Sequence, residues 1–348
     1  MHISTMVLVT GATGFLGSHL VCQLLAAGKQ VRACRRKTSD MREFTFIFSH
    51  YFGSDQAAKD ALSALVWVEA DVLEIDTLAQ SLIGVSRVYH CAALVSFDAS
   101  DRDLLMKVNV EGTANVVNLC LIHGVKHLSY VSSIASLGRT KTGNTMDENS
   151  TWEASKLNTN YAISKYKAEM EVWRGAEEGL SVIIVNPGVI IGVGDFSKGS
   201  NALVQTIYKG MPMYSMGANG YVDVKDVARA FLEIEDAGIV NRRFVLVGSN
   251  MRFRDLFFMI ADGFGKKRPY IQVTPFMAAI AWRVMAVVRL FNKKGLALTK
   301  ETARAALNES YYSSNRIMSE VGFSFTPIEK TVADCVWEYN AWELAVSH

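Results

Sequence analysis

Hydrophobic and polar positions along this chain follow two rhythms, and through the first half they alternate. Short apolar runs rich in β-branched residues occupy Val7–Thr10, Lys29–Cys34, Val66–Ala70, Arg87–His90, His127–Ser132 and Ser181–Asn186. Runs of that length and composition predict strands. Between them, residues near 15–27, 75–83, 102–123 and 160–178 carry apolar side chains at helical spacing. Gly28, Gly124 and Gly179 fall just beyond three of those segments, where a helix end favours a left-handed residue. Strands alternating with helices predict parallel βαβ units, hence an α/β fold with a Rossmann-type doubly wound parallel sheet.

Two stretches depart from this rhythm. Residues 38–65 contain FTFIFSHYF, too apolar for a solvated linker, and are expected to pack on the sheet's edge. Beyond Asn186 the alternation weakens and several helices follow without obvious strands. A smaller, mostly helical C-terminal substrate-binding region is expected there. The division expected is 1–188 with 222–250 for the dinucleotide-binding domain, and 189–221 with 251–348 for the substrate-binding region. Phe276 to Phe291, FMAAIAWRVMAVVRLF, is shorter than a spanning helix and carries Arg283, so it reads as a helix closing over that region and not as an integral membrane segment.

Composition narrows the function. Half the residues are hydrophobic and 20% are charged, which excludes a disordered chain. A net charge of +2 gives no footprint for nucleic acid or a membrane surface. The five cysteines, Cys22, Cys34, Cys91, Cys120 and Cys335, are odd in number and lack CxxC spacing. A disulfide framework or zinc site is therefore not expected, and a reducing, cytoplasmic location fits. His123 and His127 lie four apart, but Gly124 separates them at a helix end, and there is no HExxH. No metal is expected. The apolar N-terminus has no basic leader region and is broken by Gly11, Gly14 and Gly17, so it reads as strand, turn and helix and not as a signal peptide.

That turn carries the first chemistry. VLVTGATGFLGSHLVCQLL places Gly11, Gly14 and Gly17 between a strand and a helix, with Thr13, Phe15 and Leu16 beside them. A tight turn there needs positive φ, its backbone must approach a pyrophosphate, and the helix must pack closely on the strand. The helix N-terminus then offers free N–H groups and a partial positive charge to the phosphates. At the end of the second strand Arg35 and Arg36 follow VRAC with no acid adjacent in sequence. Two guanidinium groups suit a 2′-phosphate better than a 2′-hydroxyl, so NADP is expected over NAD, which stays possible.

Tyr161 and Lys165, in NYAISKYKAE, lie four apart in a helical segment, on one face and about 6 Å apart along its axis. A phenol titrates near pH 10, too high for acid–base work near neutrality. A cation roughly 4 Å away at an effective dielectric near 20 contributes about 4 kcal/mol, enough to lower that pKa by about three. Lys165 is therefore expected to bring Tyr161 towards neutral pH.

With VLVTGATGFLG at the start, SYVSSIASLG after the fifth strand and NYAISKYKAE beyond it, the chain closely resembles the extended short-chain dehydrogenase/reductases, the NAD-dependent epimerase/dehydratase family. The match also takes in AD at 70–71, HCAA at 90–93, VNVEGT at 108–113, NPG at 186–188 and YVDVKDVA at 221–228. The resemblance implies that Ser133, with Ser132 the near alternative, hydrogen-bonds the substrate oxygen and that Tyr161 donates or accepts the proton. It implies that Lys165 binds the nicotinamide ribose. Asp71 and Val72 would touch the adenine, and Cys91, Ala92 and Ala93 would wall the ribose and pyrophosphate. Pro187, Gly188, Val189 and Ile190 would neighbour the nicotinamide amide. Asn109 matches a structural or ribose-ordering asparagine.

The substrate half points to a ketone or secondary alcohol. Members of the family that use sugar nucleotides carry an arginine in a stretch just before the YVDVKDVA segment, where this chain has MGANGYVDV and no basic residue between Lys209 and Lys225. Leu94, Val95 and Phe97 give the expected entrance an apolar lining, and Trp152 is expected to approach it. The chain looks more like the dihydroflavonol-reductase and 3β-hydroxysteroid-dehydrogenase branch. The alternatives are a nucleotide-sugar epimerase/dehydratase clamping its diphosphate with Arg252 or Arg254, and a non-catalytic NADP-sensing scaffold. The helices near 102–123 and 160–178 match those through which many relatives dimerise, so a homodimer is expected. Replacing Arg36, or Arg35, by Asp should weaken NADPH binding far more than NADH binding in a fluorescence titration. Equal losses for the two dinucleotides would contradict the NADP reading.

Overall fold

The computed structural model describes residues 6–53, 56–138, 145–155, 158–280 and 306–346. The first half runs β1 (Met6–Thr10), α1 (Phe15–Ala26), β2 (Gln30–Arg35), α2 (Arg42–Phe52), α3 (Gln56–Ser63), β3 (Leu65–Glu69), α4 (Ile75–Ser81) and β4 (Val85–His90). A composite helix follows, made of α5 (Arg102–Leu105), a π-helical stretch Met106–Glu111 and α6 (Gly112–Ile122). Then come β5 (His127–Val131), β6 (Thr145–Met146), α7 (Asn160–Glu177) and β7 (Ser181–Pro187). The second half adds β8 (Val189–Ile191), α8 (Ala202–Tyr208), β9 (Met213–Tyr214), β10 (Ala218–Asp223), α9 (Val224–Asp236), β11 (Arg242–Leu246), β12 (Ser249–Arg252) and α10 (Phe253–Gly263). It ends with β13 (Ile271–Gln272), β14 (Tyr311–Tyr312), α11 (Asn315–Glu320) and α12 (Ile328–Val346).

Seven strands form one parallel sheet in the order β3-β2-β1-β4-β5-β7-β11. Side chains of a strand alternate between its two faces, so a strand covered on both sides must be apolar throughout. Val7 and Val9 of β1 enter the core beneath α1 and α9, with Leu20, Leu24 and Phe231. Leu8 enters the opposite core with Val88, Leu128, Val117 and Val172. Strand β7 divides in the same way, Ile183 and Val185 one way, Val182 and Ile184 the other. The fold is thus the doubly wound α/β sheet that the pattern predicts. The chain travels outward from β1 to β3 and then returns to β4, so the strand order reverses between β1 and β4. Their C-terminal ends open a crevice at that point.

The stretch expected to lie on the sheet's edge folds as two helices. Helix α3 sits beside the edge strand β3, and α2 lies along α1, sending Phe44, Ile47 and Phe48 into its core with Phe44 edge-on to Trp67 of β3 at 4.8 Å. The reason is the 3.6-residue spacing of those three side chains, which suits a helix face better than a strand. Phe46, on another face of α2, meets Trp342 of α12 with ring centroids 5.2 Å apart.

Beyond β7 a small sheet, β12-β10-β8, stands at the C-terminal end of the large one. Gly188 makes this junction possible, because a Cβ there would lie 2.5 Å from the Gly220 carbonyl oxygen. Most of Phe276 to Phe291 lies outside the described residues. Among those described, no helix is long and apolar enough to cross a membrane.

The tightest approach in the glycine turn is at Gly17, where a Cβ would stand 2.1 Å from the Gly11 carbonyl oxygen. Gly17→Ala should therefore push α1 off the turn and lower stability by about 1–3 kcal/mol, read as a reduced midpoint in urea unfolding. An unchanged midpoint would show that the turn yields freely.

Candidate active site

The turn after β1 is bent by Gly11, whose φ is +67°. A Cβ on Gly11 would lie 2.6 Å from the Ala92 backbone nitrogen, so only glycine lets the turn rest against the exit of β4 at Cys91 and Ala92. Helix α1 starts from Gly14 with no side-chain cap and no acid in its first turn. Its first N–H groups and the positive end of its dipole are left for an anion. A Cβ on Gly14 would meet only the Gly11 carbonyl oxygen, at 3.4 Å, so the cradle is open where a pyrophosphate would rest. These donors fit a dinucleotide.

Arg35 ends β2 with its guanidinium 6.0 Å from the centroid of the Trp67 ring. Arg35 and Arg36 are both exposed, and neither forms an ion pair among the described residues. Sheet register adds a neighbour that the linear sequence hides: Glu69 of β3 is the Cα partner of Arg35. Asp71 follows β3, its Oδ1 accepting from Leu73 N at 3.0 Å. Val72 is buried beside Gly112 and accepts from Asn115 Nδ2 through its carbonyl.

A strap of residues 192–195 closes on α1, and sequence reading missed it. The Phe15 ring lies where Gly194 leaves room, a Cβ there falling 2.7 Å from the ring. His19, fully buried, donates from Nε2 to the Val193 carbonyl at 2.7 Å. Glu43 of α2 accepts from Asp195 N at 3.0 Å, and burial pushes its carboxyl up to about 7. The strap follows Pro187, Gly188, Val189 and Ile190 in the chain, where Gly188 lies against Gly220 and Val247.

Catalytic candidates converge from β4, β5, the composite helix and α7. Lys165 is 2% exposed; its Nζ donates to Tyr130 Oη at 2.8 Å and to the Val131 carbonyl at 2.7 Å. Burial draws Lys165 down to about 7, offset in part by Glu169 and Cys91. Tyr161 goes the other way: burial raises its pKa, and a hydrogen bond with Ser133 lowers it in part. The expectation that Lys165 brings Tyr161 towards neutral pH is corrected here: the phenol lies above its ordinary value and the lysine below its own. The ammonium is anchored on β5, and a lysine titrating near 7 does not hold a full charge at neutral pH.

Ser132 and Ser133 are separated by what each already bonds. Ser132 Oγ donates to Glu169 Oε2 at 2.6 Å and lies 3.1 Å from Ser136 Oγ, out of reach of a ligand. Ser133 caps a 3₁₀ turn, accepting from Ala135 N, and faces Tyr161. Glu169, fully buried, also accepts from Ser136, Asn186 and Arg243. It ties α7 to the ends of β5, β7 and β11. Asn109, in the π-helical stretch, accepts from Leu94 N at 2.7 Å and donates to Leu94 O and Ser164 Oγ, both at 2.9 Å. Ser164 donates to the Tyr161 carbonyl. Asn109 therefore orders the loop after β4 against α7; its amide is spent on protein groups.

On the open side Phe97 meets the Tyr161 ring edge-on, centroids 5.6 Å apart, and Val95 is exposed close by in sequence. Trp152 is stacked on Tyr166 at 4.4 Å. Arg252 lies 3.5 Å from Glu309, and Arg254 lies 2.8 Å from Asp255.

Residues 7–246 match the model of the NAD dependent epimerase/dehydratase family, and the chain belongs to that family. It is 30% identical over 335 residues to sterol demethylase protein B of Methylococcus capsulatus, covering 94% of this chain and 96% of that protein. It is 28% identical to a putative dihydroflavonol 4-reductase of Synechocystis, covering 95% and 94%. The crystal structure of gox2253 superposes with a TM-score of 0.78 at 28% identity, covering 97% of this chain and 98% of that one.

His19 and His90 are both buried with their pKa values drawn down to about 3 by burial. The unfolded imidazoles titrate near 6.5, so from there down to about pH 3 the unfolded chain binds protons that the folded chain does not. Each should remove about 1.4 kcal/mol of stability per pH unit as pH falls. Urea unfolding at a series of pH values should give His90→Gln a shallower acid slope, by one proton, whatever its absolute stability. An unchanged slope would contradict a neutral buried His90.

Proposed function

We propose that the protein is an NADP-dependent reductase or dehydrogenase acting on a ketone or secondary alcohol of a bulky, largely apolar substrate. A single observation carries the reading: the Tyr161 phenol, hydrogen-bonded by Ser133, has the ring of Phe97 packed edge-on against it. Such a neighbour suits an apolar carbonyl compound. The two arginines that would serve a sugar-nucleotide clamp, Arg252 and Arg254, are each beside a carboxylate, which counts against an epimerase acting on a diphosphate. Relatives named sterol demethylase protein B and dihydroflavonol 4-reductase support the same side.

A bound nicotinamide supplies or receives the hydride. Ser133 and Tyr161 act on the substrate oxygen: Ser133 holds it by a hydrogen bond, and Tyr161 gives it a proton as the carbonyl carbon is reduced. In the reverse direction Tyr161 takes that proton back. Lys165 spends two of its three N–H groups on β5, and we assign the third to the nicotinamide ribose. Arg35 and Arg36 favour a 2′-phosphate, while Asp71, Val72, Cys91, Ala92, Ala93 and residues 187–190 surround the rest of the dinucleotide. We assign dinucleotide binding to 1–188 with 222–250, and substrate binding to 189–221 with 251–348, in a cytoplasmic homodimer joined through α5, α6 and α7.

The test is a panel of ketones, including rigid polycyclic ones, assayed for NADPH oxidation beside UDP-sugars assayed for isomerisation. Ketone reduction with stoichiometric NADP+ release is expected, and Tyr161→Phe should abolish it while leaving NADPH affinity within a few-fold. Isomerisation of a UDP-sugar without net cofactor change, or full activity in Tyr161→Phe, would overturn the reading.

A further inference from the structure

Tyr130 of β5 is 1% exposed, and its hydroxyl receives a proton from Lys165 Nζ at 2.8 Å. The direction of that bond follows from counting protons. Thr113 Oγ1 donates its one proton to the Asn109 carbonyl at 2.6 Å. It can then only accept from its other partners, Tyr130 Oη and His90 Nε2, the latter at 3.0 Å. Tyr130 therefore sends its own proton to Thr113 and turns its lone pairs to the ammonium. The same count protonates His90 on Nε2, so that Nδ1 accepts from the Thr10 hydroxyl at 2.7 Å. The His90 ring lies against that of Tyr130, centroids 5.5 Å apart.

We propose that Tyr130 is a positioning residue: held as an acceptor by Thr113, its hydroxyl fixes the Lys165 ammonium and leaves the third N–H aimed at the dinucleotide site. The row Thr10–His90–Thr113–Tyr130–Lys165 thus links the strand before the glycine turn to the reactive helix. The titratable groups that bear on Lys165 are Glu169 on α7, Cys91 at the exit of β4, His90 on β4, and Tyr130 itself. Glu169 and Cys91 favour the ammonium against burial, and His90 is neutral across the working range. Deleting the Tyr130 oxygen removes a hydrogen bond to the charged form, so Lys165 should lose its proton at lower pH.

The proposal rests on Lys165 being part of the site, but its test does not need turnover. The full-length protein is labelled with [13Cε]lysine, Lys165 is assigned from a Lys165→Arg sample, and its titration midpoint is read by NMR without cofactor. Tyr130→Phe, which keeps the ring, should lower the midpoint by about one pH unit or more and weaken NADPH binding more at pH 8 than at pH 6. Thr113→Val should lower it in the same direction, and serves if Tyr130→Phe does not fold. An unmoved midpoint in a folded variant, with or without loss of turnover, leaves Tyr130 a packing role only and overturns the proposal. A lowered midpoint in a protein that reduces no ketone would uphold it while contradicting the functional reading.

Discussion

The Lys165 ammonium, buried at the C-terminal end of the sheet, is gripped by the Tyr130 hydroxyl at 2.8 Å and the Val131 carbonyl at 2.7 Å. An ion taken out of water survives only where acceptors replace its hydration. Here they come from β5, so the geometry of helix α7 is set by the strand it crosses. Tyr161, one turn earlier on α7, inherits that placement, and Ser133, just past β5, meets it. Glu169, one turn later, repeats the arrangement with Ser132, Ser136, Asn186 and Arg243. Three consecutive turns of one helix thus bear, in order, a phenol, an ammonium and a carboxylate, each fixed by different neighbours.

The glycine turn was legible in the sequence because its physics is local. Gly11, Gly14 and Gly17 are constrained by φ and by contacts within a few residues, apart from the approach to Ala92. The strands were legible too, since burial on both faces forces continuous apolar runs. What escaped reading depends on partners far apart in the chain. His19 meets Val193, Glu43 meets Asp195, and Arg243 meets Glu169, and no window of sequence contains both members of any pair. The choice between Ser132 and Ser133 could be made only once the buried Glu169 carboxylate was seen to claim Ser132.

The expected electrostatics of the catalytic pair needed the same correction. Helical spacing places Tyr161 and Lys165 on one face, yet it does not say what else the ammonium touches. Tyr130, two residues before Ser132, supplies the missing contact. It fixes the lysine through an acceptor and draws its own polarity from Thr113 and the neutral His90. On the other side of the phenol the loop after β4, ordered by Asn109, presents Phe97. Tyr161 thus has polar order behind it and the ring of Phe97 before it.

The most direct measurement follows the hydride itself. NADPH deuterated at nicotinamide C4 on the transferring face is reacted, in ordinary water, with a ketone that the protein consumes. The account predicts deuterium on the carbinol carbon of the product and one equivalent of NADP+ released. Product bearing no deuterium, or an isomerised product with the label returned to the cofactor, would contradict it.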